Sequence, residues 1–431
     1  MLDILFQKLK PIVPERWHWV LEHSGFKRYF ANTGWMFFGQ MFSIISVLVN
    51  IWVARYLGPS DFGKLSYALA FAGMFSFIAN LGVSGILVRD LVKYPEQRDK
   101  LMGTAFVLTL GGGILAFLIA TIGSFIFISD ILVRNLAIVF ALTFIFSSVN
   151  IIANFFQATV QAKKNSQIQI TVIIISSLIK IYLIFTGKGI IWLITVFLFD
   201  YILYNILYIF NYFKSGLKIF DWKFDKNIAK EIFSISWLLM LSSAAAYIYM
   251  KIDQVMIGYY LNTTAVGLYA AAVRLAEIWY FIPGIICSSL LPAIINAKKY
   301  GEEKYKRRLK NLYILLGGIA VLIAIPSTLF ASWFINLFFG SAYGGSVIIL
   351  QIYVWSGVGL FLTWGLNQYF LTENRLYAIF NLSFFSMILN ILLNIIFIPK
   401  FGLTGAAWAT LISYSIGPVL ILSFSKIKKI N

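Results

Sequence analysis

The chain has 431 residues, of which 60% are hydrophobic and only 12% charged, and it carries a formal charge of +18. That composition excludes a soluble globular domain, and one cysteine, Cys287, with two histidines, His18 and His23, excludes a disulfide framework or a Cys/His metal site. No G-x-S-x-G, phosphate-binding P-loop or H-E-x-x-H occurs, so an ATP-driven pump or a familiar hydrolase has no support.

Residues 1–33 open with MLDILFQKLKPIVPERWHWV, too rich in charge and proline for a secretory signal, and read as an amphipathic lead-in at the cytoplasmic membrane surface. Apolar runs of about 20 residues then recur along the chain, the length a helix needs to cross the hydrocarbon with its backbone groups paired. The predicted spans are 34–54, 63–88, 101–128, 132–158, 167–186, 190–213, 231–257, 265–295, 310–333, 344–371, 376–398 and 402–425. Runs such as ITVIIISSLIKIYLIF (170–185) are continuously apolar, which excludes the alternating strands of a membrane β-barrel. The expected fold is all-α and polytopic: a lead-in at 1–33, a six-helix lobe at 34–213, a cytoplasmic linker at 214–230, a second six-helix lobe at 231–425 and a tail at 426–431.

Of the 35 Lys and Arg residues, 27 fall in the amino terminus, the even-numbered loops and the tail, counting a charge at a span end with its loop. Both termini are therefore expected in the cytoplasm. Because the basic residues sit in short loops such as KKYGEEKYKRRLKN (298–311), they point to topology and anionic headgroups and away from nucleic acid.

The chain also repeats itself. WVARYLGPSDFGKLSYALA (52–70) lies over MIGYYLNTTAVGLYAAAVR (256–274), pairing Leu57 with Leu261, Gly63 with Gly267 and Ala68 with Ala272, and FFQATVQAKKN (155–165) lies near QYFLTENRLYA (368–378). Two halves of six spans in one orientation predict parallel repeats about an axis along the membrane normal, with a cavity between them, an architecture that points to a transporter. TLGGGIL (Gly111–Gly113) reads as close helix packing, Asn262-Thr263-Thr264 is a cheap match to the glycosylation pattern, and Pro283, Gly284, Pro292 and Pro326 predict kinks in spans 8 and 9.

Lys180, Asp200, Lys251, Asp253, Arg274 and Glu277 fall inside or near the ends of spans, where a lone charge costs at least about 2.5 to 3.5 kcal/mol. They must face a wet cavity or each other, and two readings stay open. Arg274 and Glu277, three apart, neutralise one another while Lys180 and Lys251 snorkel and Asp253 pairs with a neighbouring base, or the charges line the cavity. Asp253 with Asn390 and Asn394, four apart on one helix face, and Thr410 supplies the oxygen ligands of a hard cation; equally, asparagines bond between helices without any ion. Trp279, Tyr280 and Trp364 are candidates to stack on sugar rings if they line the cavity.

NTGWMFFGQ, ARYLGPSDFGKLSYALAF, KIDQVMIGYYL, VGLYAAAVRLAE and NIIFIPKFGLTGAAWATLISY, in this order and spacing, resemble bacterial oligosaccharide or polysaccharide flippases of the Wzx type, within the multidrug/oligosaccharidyl-lipid/polysaccharide exporter superfamily. The resemblance implies two lobes forming a V and movement of an undecaprenyl-diphosphate-linked glycan across the bacterial cytoplasmic membrane, with membrane lipids, a polysaccharide polymerase and glycosyltransferases as partners. For such a diphosphate, Arg274, Lys251 and Lys180 are the first candidate contacts, with Arg55 and Arg89 nearer the span ends. The arginines that related lipid II flippases carry in spans 1 and 2 are replaced here by Ser43, Val49 and Phe77, which argues against lipid II as cargo. Those flippases also imply a sodium site at Asp253, Asn390, Asn394 and Thr410, with Asn394 standing where the family pattern has Asp, and no other cofactor. The alternatives are an ion-coupled exporter of drugs or small metabolites on the same fold and, less well supported, a membrane-embedded glycosyltransferase or polymerase; no loop exceeds about 20 residues, too little for such an enzyme's extramembrane site.

Overall fold

The computed structural model describes residues 24–373 and 375–419, so His18, His23, the start of the lead-in, the tail and both chain ends lie outside the described residues. The described residues form helices and turns with no strand. In chain order the first half holds α1 (Ser24–Gly73), α2 (Ser76–Asn80), α3 (Val83–Lys93), α4 (Arg98–Phe127), α5 (Ile131–Ala141), α6 (Thr143–Phe146), α7 (Ile151–Ala158), α8 (Ala162–Phe185) and α9 (Ile190–Lys214). The second half holds α10 (Lys226–Tyr260), α11 (Thr263–Glu277), α12 (Phe281–Lys299), α13 (Glu302–Leu329), α14 (Ala331–Phe338), α15 (Ser346–Tyr353), α16 (Ser356–Thr372) and α17 (Leu376–Tyr414).

Ten helical segments among the described residues are long and apolar enough to cross a membrane. Two of them, Gly34–Gly73 and Tyr377–Val419, are 40 and 43 residues long, about twice what one crossing needs. Each is broken by a glycine in the left-handed region, Gly58 at φ 69° beside Pro59 and Gly402 at φ 60° after Pro399, where a side chain would be strained. The ten segments therefore supply the twelve predicted crossings.

Large apolar side chains point outward, with Phe185, Leu322 and Leu329 more than 70% exposed, as suits a lipid-facing surface. Small residues such as Ala54, Ala68, Ala72, Ala271, Ala272 and Ala406 fill the interior and let helix backbones approach, because lipid supplies no hydrophobic force between helices. Gly112 and Gly113 belong to this group: a methyl on either would overlap the carbonyl of Ile78 or of Phe144, while Gly111 is open.

Two expected features can be set against the helices. Within the expected lead-in at 1–33, the chain is already helical from Ser24, where α1 begins. Span 8 breaks at 278–280, where the ring of Pro283 would clash with the carbonyl of Trp279 four residues before it, and Pro283 then lies in the first turn of α12; Pro326 lies in the last turn of α13, which continues through it to Leu329. Between the halves, Asp225 caps α10 by accepting from the N–H groups of Asn227 and Ile228, bonds that hold its carboxyl below the usual range. The linker before it is docked on α4, with the Lys223 N–H donating to the Asp99 carbonyl at 3.0 Å and the Asp225 N–H to Thr104 Oγ1 at 2.9 Å.

Candidate functional site

The repeat brings the two halves together at a pair of glycines. A Cβ on Gly63 would overlap the Thr263 carbonyl and crowd the Gly267 backbone, and a Cβ on Gly267 would overlap the Pro59 carbonyl and crowd Gly63. The contact is reciprocal in the register that lays 52 over 256, so the repeat axis passes between the two glycines. The same end is closed by Tyr343, fully buried, which donates to the Ala54 carbonyl at 2.6 Å, and by Phe62 packed on Phe339 and Tyr343. Asn262, in the glycosylation match at this end, uses its side chain to cap α11, accepting from the Ala265 N–H at 2.8 Å.

Beyond the glycine pair lies a cavity of about 400 Å³ between the halves. Val47, Asn50, Ser66, Leu69 and Ala70 line it from the first half, and Lys251, Gln254, Ala270, Val273 and Arg274 from the second, each pair in that one register. One backbone pattern thus builds two walls, and charge is confined to one of them: Lys251 stands opposite Val47 in the repeat, and Arg274 opposite Ala70. The first half contributes its cation from elsewhere. Lys180 on α8 is 4% exposed, donates to Asn50 Oδ1 at 3.4 Å, sits over the Phe197 ring and lines a narrow recess that it shares with Arg274.

The structure separates the two residues whose pairing would have made these charges inert. Glu277 is held by Lys251, Nζ to Oε2 at 3.0 Å, and by Tyr353, whose hydroxyl donates to Oε1 at 3.1 Å. Arg274 makes no hydrogen bond or ion pair among the described residues; its guanidinium lies over Phe62, 5.6 Å from the ring centre. A free arginine beside a wet cavity can grip a planar or tetrahedral oxyanion with two donors at once.

Asp253 points away from the cavity into a closed cluster. It is 2% exposed; Oδ1 accepts from Asn394 Nδ2 at 2.6 Å, and Oδ2 from the Tyr269 hydroxyl at 2.7 Å and from Thr410 Oγ1. Asn394 Nδ2 also donates to Asn390 Oδ1 at 3.1 Å. The structure therefore brings together Asp253, Asn390, Asn394 and Thr410 from α10 and the two arms of α17, and adds Tyr269 from α11, which the sequence reading did not single out. Asn394 Oδ1 is buried without a partner, and such an orphaned acceptor costs about 1–3 kcal/mol. One carboxylate, two amide oxygens and two hydroxyls around an unpaired acceptor are a donor set that fits a hard monovalent cation.

The remaining candidates lie elsewhere. Arg89 is bidentate to its neighbour Asp90, at 2.7 and 3.2 Å, and is half exposed on α3, so its charge is spent outside the cavity. Arg55 is exposed at the closed end, where it donates to the Leu337 carbonyl at 3.3 Å and ties the first half to the second. Trp279, Tyr280 and Trp364 do not line the cavity; Tyr280 reaches Ser356 and Trp364 packs on Gly284. Its aromatic residues are Phe62, Phe140, Phe197 and Tyr247 instead. Phe62 could have been found from the repeat, since it sits one residue before Gly63.

Comparison with known proteins adds to this geometry. A family model described as polysaccharide biosynthesis protein matches residues 52–348, more than half of the chain. A probable flippase, AglR of Haloferax volcanii, is 24% identical, with 88% of this chain and 79% of the relative covered. Among solved structures, an inward-facing multidrug resistance transporter of the MATE family in the MOP superfamily superposes with a TM-score of 0.70 at 16% identity, covering 90% of this chain and 94% of the other. The lipid II flippase MurJ in an inward closed conformation gives 0.69 at 17% identity, covering 92% and 87%.

Proposed function

We propose, from the premise that the chain belongs to the polysaccharide biosynthesis protein family, that this flippase moves an undecaprenyl-diphosphate-linked oligosaccharide across the cytoplasmic membrane by alternating access. Glycosyltransferases would supply that cargo and a polymerase consume it. The observation that supports the reading best is Arg274, a guanidinium without an ion pair among the described residues, on the wall of a cavity it shares with Lys251 and beside the recess that holds Lys180. A diphosphate crossing a low-dielectric region needs such donors, because each charge stripped of water costs several kcal/mol unless it is paired, as an order-of-magnitude figure.

For the rival, an ion-coupled exporter of drugs or small metabolites, the same lining disfavours a cationic cargo, since with Lys251 balanced by Glu277 it keeps the net positive charge of Arg274, with Lys180 in the adjoining recess. The closed glycine end corresponds to the outer side on the basis of loop charge, so the present state gives the cavity to the cytoplasmic leaflet. Parting of Gly63 from Gly267 would open the other side. The Asp253 cluster is the second element of the reading. Asp253, Asn390, Asn394 and Thr410, with Tyr269, would hold a sodium ion, which supplies the positive charge that a buried carboxylate lacks.

Arg274→Ala and Arg274→Lys test the reading in cells that lack the chromosomal copy. With equal protein in the membrane, the alanine variant loses surface glycan almost completely and the lysine variant retains part of it, because lysine keeps the charge and loses the fork. Full export by both variants contradicts the proposal.

A further inference from the structure

We infer that Glu277 is a built-in counter-ion of the cavity, occupying Lys251 until an anionic cargo exchanges with it. The inference rests on the diphosphate reading of the same site and adds what regulates it.

Nothing in the fold requires a carboxylate at this position. In the register of the repeat Glu277 corresponds to Gly73, at which the first half of the chain ends its equivalent helix with no acid at all. Yet Glu277 is fixed with care: Tyr353, fully buried and packed edge-on to Tyr269, holds one carboxylate oxygen and leaves the other for Lys251. Both partners line the cavity and both keep some exposure, 24% for the lysine side chain and 18% for the glutamate. The pair is thus within reach of anything that enters, unlike the sealed Asp253 cluster two residues away.

Two cations on one wall are in different states. Arg274 is free to meet the first oxyanion, whereas Lys251 becomes available only when Glu277 gives it up. A carrier has to release what it binds, and two unopposed cations would hold a diphosphate too firmly in a low-dielectric cavity. With Glu277 in place, the second contact is an exchange: the Lys251 to Glu277 pair breaks as the Lys251 to phosphate pair forms, and the reverse step pushes the cargo out. The carboxylate stays tethered by Tyr353 throughout, so the return partner is always adjacent. The expected consequence is weaker binding and faster release than the cation count implies.

Binding of farnesyl diphosphate and of inorganic pyrophosphate to purified full-length protein tests this in four forms: wild type, Glu277→Gln, Lys251→Met and the double variant. Lys251→Gln replaces the methionine variant if that one is not monodisperse. Glu277→Gln is expected to tighten farnesyl diphosphate binding by up to about fivefold, the size of one partly exposed charge pair, and to slow its release. In the Lys251→Met background the same substitution is expected to gain nothing, because there is no lysine left to contest. A gain that persists undiminished without Lys251 would show a plain field effect on Arg274 and overturn the exchange, as would unchanged or weaker binding by Glu277→Gln alone. Response to farnesyl diphosphate only marks the ligand as a lipid headgroup, and equal response to pyrophosphate marks recognition of the phosphates themselves; the exchange stands with either. Wild type that binds neither probe, or binds them equally well with Arg274→Ala, overturns the diphosphate reading and this inference with it.

Discussion

Asp253 shows how one residue is made tolerable inside a membrane. Its two oxygens accept from Tyr269, Thr410 and Asn394, so the charge is spread over three donors from three helical segments. Tyr269→Phe removes one of them and is expected to cost about 1–3 kcal/mol, read as a lower apparent melting temperature in detergent. Sodium is expected to raise that temperature in the wild type and not in Asp253→Asn or Asn390→Ala. An equal sodium response in all three would leave the cluster as a purely structural network. Asp253, Asn390, Asn394 and Thr410 were legible in the sequence because polar groups in apolar spans stand out and a four-residue spacing fixes a helix face. Tyr269 was not, since a tyrosine beside alanines in VGLYAAAVR looks like packing until its hydroxyl is seen on Asp253. Nor was the partner of Glu277: spacing along one helix favoured Arg274, but the ammonium that reaches it is on α10.

Helix ends carry the functional geometry at the next scale. The spans themselves could be read from length and hydropathy, and their interruptions fall next to prolines: at Gly58 beside Pro59, at Gly402 after Pro399, and at 278–280 ahead of Pro283, so that α11 stops at Glu277, in the register of Gly73. This places Glu277 and Arg274 in the last turn of a short helix whose other end carries Gly267. In the proposed cycle the glycine pair is the contact that would part between the closed end and the cavity. Gly267→Val is expected to force α11 off α1, because the new side chain would overlap the Pro59 carbonyl. Cysteines placed at the closed end should then react with an impermeant reagent from outside at least several-fold faster than in the wild-type background, while Gly111→Ala, where a methyl meets nothing, leaves the rate unchanged. Equal labelling in the valine variant would show that the seal does not depend on this crossing.

Across the whole molecule, two halves of one pattern meet at Gly63 and Gly267, enclose about 400 Å³ and differ chiefly in charge. Parallel repeats could be read from the sequence because the register at 52 and 256 survives over many positions. The electrostatic asymmetry of the two walls could not, since it depends on which residues of the register face inward. In the proposed cycle a lipid diphosphate rests on the cationic wall while the halves exchange their closed ends. The most direct measurement is translocation itself: purified protein in liposomes containing undecaprenyl-diphosphate-linked oligosaccharide on both leaflets, with an impermeant glycosidase outside. Wild type is expected to expose nearly all of the glycan to the enzyme with time, Arg274→Ala only the half present outside at the start, and undecaprenyl monophosphate sugar is not expected to be moved. Cleavage that stays at one half with active wild-type protein, or equal translocation by Arg274→Ala, would contradict the proposed cycle.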